Sequence, residues 1–138
     1  MSYSIHEVAE KMGISTYSIR YYHDHGMLPF VQRDTNNNRV FNDIDVEWLN
    51  IIVCLRATGM PVERIQHYLD LVQEGAATVP ERYQMMKTQQ ERTLTELTEL
   101  RQHLDTINRK VSGYADILAN GAPDKFTPTN LPSPQTQP

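Results

Sequence analysis

One long stretch without helix-breaking residues limits what this chain can fold into. Residues 80–118 contain one proline, at the start, and one interior glycine, Gly113. Within this stretch, spacings of three and four alternate as they do at the a and d positions of a coiled coil. These positions, which we call the seam, are Tyr83, Met86, Gln90, Thr93, Leu97, Leu100, Leu104, Ile107, Val111, Tyr114 and Leu118. A helix of this length is about 55 Å long, too long for a small domain of about 75 residues to bury its seam.

The seam is apolar from Leu97 onward, and an apolar helix face of this length needs a second helix to cover it. The sequence therefore predicts a dimer through a coiled coil. The alternative is a long helix that folds back on its own domain. We assign residues 76–119 to the dimerisation helix. Residues 120–138 contain five prolines and few apolar residues, which predicts a disordered tail.

Two short amphipathic helices open the chain. Ser4 and Glu7 have the spacing of a capping box, and Gly13 separates the first helix from a second one that Ser15 can cap. Two helices joined by so short a turn are typical of a helix-turn-helix, although an ordinary helical hairpin fits the same pattern.

A hairpin pattern follows the second helix. Val31 and Arg33 alternate, residues 34–38 are turn formers, and Arg39-Val40-Phe41 returns. A helix carrying arginine and tyrosine beside a wing with arginines on both strands can hold DNA, with the helix in the major groove and the wing on the backbone. The candidate DNA-binding residues are Ser15, Thr16, Tyr17, Arg20, Tyr21, Arg33 and Arg39.

A second helical pair completes the predicted DNA-binding domain, residues 1–75. Asn42 or Asp43 can cap the third helix, and Pro61 and Gly75 mark the limits of the fourth. The apolar side of the third helix is predicted to be Ile44, Trp48, Ile51, Ile52 and Leu55. The predicted fold class is mainly α: a winged helix-turn-helix, a second helical pair and a long dimerising coiled-coil helix.

The charge of the chain opposes nucleic-acid binding. The net charge is -4, and residues 1–75 contain six lysines and arginines against ten acidic residues. A DNA-binding face must therefore be local, with its arginines clustered and the acids turned elsewhere. The alternative function is a winged-helix and coiled-coil protein-interaction module without specific DNA binding.

Other classes of function find little support in the sequence. There is no Ser/His/Asp constellation and no glycine-rich phosphate loop, so we expect no enzyme and no cofactor. The five histidines include no pair at i and i+4, so we expect no metal site. We find no membrane-spanning run and no secretion signal, and one cysteine permits no internal disulfide framework. These features predict a cytoplasmic location.

Three motifs in this order resemble the MerR family of bacterial transcription regulators. They are Ile19-Arg20-Tyr21-Tyr22, Gly26-Met27-Leu28-Pro29 and Arg39-Val40-Phe41. The resemblance covers residues 3 to about 118. The sequence departs from the family pattern at His23, where glutamate is usual, and at Phe41, where tyrosine is frequent.

The resemblance implies a homodimer with an antiparallel coiled coil that binds promoter DNA. It also implies promoters whose two polymerase-recognition elements lie too far apart. The dimer would bend and untwist this DNA so that RNA polymerase engages both elements, which is a form of recognition through DNA deformation.

The single cysteine indicates the branch. The stretch from Cys54 to Pro61 resembles the small NmlR-type regulators, which respond to aldehydes and thiol stress and in which a cysteine at this place is the proposed sensor. Cys54 is therefore a sensor candidate. The other interpretation is a small buried hydrophobic residue, because no basic residue lies three or four positions away to activate the thiol.

Overall fold

A computed structural model describes residues 1–129 and residue 132, and this part contains five α-helices and a small sheet. The elements are β1 (Tyr3–Ser4), α1 (Ile5–Met12), α2 (Thr16–Asp24), β2 (Gln32–Arg33), β3 (Arg39–Phe41), α3 (Asp43–Ala57), α4 (Val62–Glu74), a 3₁₀ turn (Ala76–Thr78) and α5 (Val79–Asn120). The predicted mainly α fold class is confirmed. Contacts group residues 1–90 into one compact unit and the residues from 91 onward into another.

Side-chain caps determine where α1 and α3 begin. Ser4 Oγ accepts the backbone N–H of Glu7, and the Glu7 carboxylate accepts the backbone N–H of Ser4. Asn42 and Asp45 form the same reciprocal pair, at 2.9 Å in both directions. Each pair satisfies N–H groups that have no partner inside the helix. Asn42, rather than Asp43, is thus the residue that caps α3.

The wing contains one strand more than the sequence predicted. The strand order is β1-β3-β2, with both pairs antiparallel. Tyr3 lies opposite Phe41, and Arg33 lies opposite Arg39. A two-residue strand has almost no pattern of its own, so the sequence did not predict β1, which pairs with the strand that carries the buried Phe41.

Asparagines shape the turn between β2 and β3. The Asp34 carboxylate accepts the backbone N–H groups of Asn36 and Asn38, both at 2.9 Å. Asn37 adopts a left-handed backbone conformation with φ of 63°, which asparagine tolerates better than most residues.

The first unit has one hydrophobic core, to which α1, α2, β3, α3 and α4 contribute. Its fully buried members include Val8, Ile19, Met27, Leu28, Phe41, Leu49, Ile52, Met60, Ile65 and Leu69. The predicted apolar side of α3 was wrong at Ile44, which is exposed, whereas Leu49 is fully buried. The capping box turns Asp45 inward, and the buried stripe of α3 therefore runs from Asp45 through Leu49 to Ile52.

The first turns of α5 belong to this unit and follow the predicted seam only at Met86, which is half-buried against the core. Met85 and Gln89 are buried, and Tyr83 is exposed. Gln89 Nε2 donates to the carbonyl oxygen of Thr58 at 3.1 Å, which satisfies an end of α3. Packing against the preceding helices thus selects a face different from the one that the heptad pattern predicts.

In the second unit, every residue of α5 from 91 to 112 is exposed, including the apolar seam. After α5, the Phe126 ring packs at 4.8 Å from Tyr114 and covers Gly113, where a Cβ atom would overlap it. This contact explains the interior glycine. The predicted tail, residues 120–138, lies partly outside the described residues, and residues 121–129 form no helix or strand.

Candidate nucleic-acid interface

One face of α2 presents polar and aromatic side chains to the outside. Ser15 Oγ caps the helix by accepting the backbone N–H of Ser18 at 3.1 Å. Thr16 Oγ1 accepts Arg20 Nη1 at 3.0 Å, so the guanidinium is held along the helix surface. Tyr17 is 76% exposed. These side chains can reach a duplex without any change in the core beneath them.

The Tyr21 side chain is held in place by its neighbour His25. Its ring stacks on the ring of His25 with the centroids 4.0 Å apart, and His25 Nδ1 lies 2.7 Å from the Tyr21 carbonyl oxygen.

Tyr17 and Tyr21 line a hollow of about 230 Å³ together with Arg56 and Val62. Val62 opens α4, whose first turn has no side-chain cap. The start of a helix favours an anion such as a DNA phosphate, because its dipole is positive there.

Arginines from the helix and the wing meet in a second hollow of about 590 Å³, which we call the basic cleft. The residues that line it are Ser2, Tyr3, Ser4, Ile5, His6, Arg20, Arg33, Asp34, Asn37, Asn38, Arg39 and Val40. The structure therefore brings together the three arginines that the sequence predicted to cluster. Arg33 is exposed, and its Nη1 donates to the carbonyl oxygen of Asn37 at 3.0 Å.

The Arg39 side chain is mostly buried, whereas Arg20 and Arg33 are exposed. Its side chain is only 15% exposed, its Nε donates to His23 Nδ1 at 2.8 Å, and its Nη2 lies 3.0 Å from Asp24 Oδ1. Side chains two apart on a strand lie on one face, so Arg39 shares the inward face of β3 with buried Phe41. Contact between Arg39 and a phosphate stays a prediction, because this guanidinium is already bound within the protein.

The sequence did not indicate that His23 and Asp24 contact Arg39. Two signals could have done so: the spacing of Arg39 from Phe41, and the departure from the family pattern at His23. The pKa of His23 is lowered below its ordinary value, first by burial and then by the positive charges of Arg39 and Arg33. Asp24 and Asp45 act in the opposite direction.

Internal contacts occupy several acidic groups of the first unit. Glu7 and Asp45 serve as caps, Asp24 pairs with Arg39, and Asp43 accepts the Tyr3 hydroxyl at 2.8 Å. The hydrogen bond from Tyr3 lowers the pKa of Asp43, and the same bond raises the pKa of Tyr3. Hydrogen bonds from Ser4 lower the pKa of Glu7. The donors compensate part of the negative charge of these carboxylates, so the cleft can be locally basic in an acidic chain.

Cys54 lies on α3 and is not among the residues that line the basic cleft. It is exposed, with Sγ 3.8 Å from Asn50 Oδ1. The interpretation of Cys54 as a buried core residue is therefore wrong within a single chain.

Two further properties of the described residues bear on function. They contain no group of three or more histidine, cysteine or acidic side chains placed to hold a metal ion. None of their helices combines the length and apolar character that crossing a bilayer requires.

A helix-turn-helix with an exposed arginine-tyrosine face, beside a sheet that carries arginines, defines the class of winged-helix DNA-binding proteins. Comparison with known proteins specifies the family. Residues 3–71 match the MerR HTH family regulatory protein model, and residues 46–109 match the model described as MerR, DNA binding. The chain belongs to the MerR family and is a DNA-binding transcription regulator.

Individual relatives agree with this assignment. An uncharacterized HTH-type transcriptional regulator of Haemophilus influenzae is 35% identical over 99% of both chains. The transcriptional regulator AdhR of Bacillus subtilis is 30% identical over 66% of this chain and 65% of its own. The crystal structure of HiNmlR, a MerR family regulator lacking the sensor domain and bound to promoter DNA, is 35% identical with a TM-score of 0.78, covering 88% of this chain and 92% of that one. The predicted family is confirmed, and the similarity to HiNmlR supports the NmlR-type branch.

We expect Arg33→Ala to weaken binding to all duplex sequences alike. Arg33 is exposed on the wing and can reach a phosphate. Loss of one phosphate contact makes the negative slope of log K against log salt shallower by about one. The measurement is fluorescence anisotropy at several salt concentrations, with Arg92→Ala as a control that removes the same charge from α5. An unchanged slope in Arg33→Ala would exclude Arg33 as a phosphate contact.

Proposed function

We propose that this regulator acts as a homodimer that binds and distorts promoter DNA, and that aldehyde, electrophile or thiol stress controls it. Two copies would pair through an antiparallel coiled coil of α5. RNA polymerase would then engage the deformed promoter. The observation that carries the dimer is the exposed apolar seam of the second unit. The basic cleft and the DNA-bound relative HiNmlR support the action on promoters.

The seam is unusually apolar for a surface that faces water. Leu97, Leu100, Leu104 and Ile107 are between 43% and 64% exposed. They line a groove of about 410 Å³, to which Arg101 and His103 also contribute. Contiguous exposed leucines on a helix are typical of an interface, since leaving them in water costs free energy that a partner helix recovers. A second copy of α5 supplies the same apolar spacing and therefore fits this groove.

We expect Leu104→Asp to abolish dimerisation. The substitution places a charge without a partner in the centre of the interface, in both copies, and should raise the dimer dissociation constant about a hundredfold or more. Sedimentation equilibrium measures the constant. Gln102→Asp is the matched control, because it adds the same charge on the opposite side of α5 and should leave the dimer intact. A Leu104→Asp protein that remains a full dimer would show that the seam is not the interface.

A gel shift tests the action on promoters. The probe is the DNA immediately upstream of the protein's own gene, with a random-sequence duplex of equal length as competitor. We expect a specific complex on an inverted repeat within an unusually long promoter spacer, because the dimer would place two basic clefts on symmetric half-sites. Equal binding to both duplexes, together with an intact dimer, would favour the protein-interaction module instead.

Cys54 is the residue through which we propose that the stress signal acts. Its thiolate can add to the carbonyl carbon of an aldehyde, forming a sulfur–carbon bond while the π bond of the carbonyl opens and its oxygen takes a proton from water. It can also attack the disulfide of a small thiol, forming a mixed disulfide and releasing the other thiolate. The exposed position on α3 supports access to such reagents. Added bulk on α3 would shift the dimer between two packings, only one of which untwists the promoter.

We expect Cys54→Ser to separate DNA binding from signalling. Operator affinity should stay within about twofold of the parent, because Cys54 lies outside the basic cleft. Transcription from the target promoter should no longer change on treatment with an aldehyde or a thiol oxidant. A transcription assay with and without each reagent measures this, and Thr58→Ser is a control for a mild change near the end of α3. Normal induction in Cys54→Ser would show that the Cys54 thiol does not carry the stress signal.

A further inference from the structure

One histidine acceptor connects the end of α2 to the wing. The bond from Arg39 Nε to His23 Nδ1 is part-buried and joins residues 16 positions apart. Arg39 also pairs with Asp24, the neighbour of His23 in the last turn of α2. The Arg39 guanidinium thus bridges β3 and α2, and a bond to a charged donor is stronger than one between neutral groups.

The position of Arg33 depends on the same bridge. Arg33 on β2 lies directly opposite Arg39 on β3. Because β2 and β3 are hydrogen-bonded neighbours, a shift of the Arg39 backbone away from α2 would also move the strand that carries Arg33. Phe41 anchors the other end of β3 in the core, so the bridge controls the free end of the wing.

We propose that His23 is a positioning residue for DNA binding: its neutral ring holds Arg39 against α2 and so sets the position of the wing relative to the recognition helix. The inference rests on the DNA-binding role of the basic cleft, and it adds a residue that contacts no DNA itself. It also makes the wing sensitive to pH, because a protonated ring cannot accept this bond.

The hydrogen bond from Arg39 Nε requires that His23 Nδ1 is not protonated. Arg39 Nε can only donate, so His23 Nδ1 must carry a lone pair and the ring proton must reside on Nε2. Protonation of Nδ1 would bring two N–H donors and two positive charges together. The charged groups around His23 are Arg33 and Arg39 on the wing, Asp24 on α2 and Asp45 on α3.

The direction of the pH effect on folding follows from these surroundings. The pKa of folded His23 lies below its ordinary value of about 6.5. At a pH between the folded and the unfolded pKa of His23, the unfolded chain therefore binds more protons than the folded chain. The stability that neutral His23 contributes is present above about pH 6.5, and it is lost as the pH falls through the folded pKa.

Two variants test the positioning role. His23→Leu removes the acceptor, whereas His23→Asn keeps one, because asparagine Oδ1 stands one bond from Cγ as histidine Nδ1 does, and it does not titrate. The probe is a duplex that the parent selects from a random-sequence pool. At neutral pH we expect His23→Leu to bind about tenfold more weakly than the parent. Its salt slope should be unchanged because no positive charge is lost, and His23→Asn should restore most of the affinity.

A pH series separates this role from a direct contact. Affinity is measured from about pH 7.5 down to the lowest pH at which both proteins remain folded in thermal melts. The affinity of the parent is divided by that of His23→Asn at each pH so that the other histidines cancel. We expect the ratio to fall about fivefold as the ring protonates. A ratio that stays constant would overturn the proposal. A ratio that rises would also overturn it, because it would show an imidazolium bound to a phosphate.

Each outcome remains informative if one variant is unstable. Thermal melts report whether His23→Leu folds, and the pH arm uses only the parent and His23→Asn. If all proteins fail to select a duplex from the pool, the DNA-binding role of the cleft fails instead. If they bind but the ratio and the His23→Leu affinity do not change, only the positioning role of His23 is excluded.

Discussion

The burial of Phe41 is the interaction on which the DNA-binding unit depends. Its ring is fully buried in the core that α1, α2, α3 and α4 share, and its backbone lies in the middle strand of the sheet. This one residue therefore joins the wing to the helices. Because side chains alternate along a strand, the inward position of Phe41 also turns Arg39 inward, toward the last turn of α2. The geometry of the basic cleft is thus a consequence of packing in the core.

Local hydrogen bonds explain how an acidic chain presents a basic surface. Glu7 and Asp45 satisfy backbone N–H groups at helix starts, and Asp24 neutralises an arginine that is itself half-buried. These carboxylates stabilise the scaffold and are engaged there, which leaves Arg20 and Arg33 as exposed cations at the cleft. Net charge therefore says little about this protein's partners, because the potential that a DNA phosphate meets is set within a Debye length of the surface.

Only the start of α5 packs in the core of the first unit, because a unit of this size has a limited core. The first turns of α5 bury Met85 and Gln89, and Gln89 satisfies the end of α3. From residue 91 to residue 112 every residue of the same helix is exposed, including the apolar part of the seam. The proposed dimer would cover that seam, and the proposed sensor Cys54 lies on α3, whose end receives the bond from Gln89. A chemical change on α3 is therefore well placed to affect the start of α5, the helix of the proposed dimer.

The sequence by itself determined the helices, their caps, the hairpin and the MerR family, because periodicity, capping pairs and turn residues act over a few neighbouring positions. It also predicted that Arg20, Arg33 and Arg39 would cluster. Only the tertiary structure decided which face of each element is buried. The strand β1, the inward turn of Asp45 and the first buried face of α5 all depend on contacts between residues distant in the chain. The bond between His23 and Arg39 belongs to the same group, since neither residue alone indicates a partner across 16 positions.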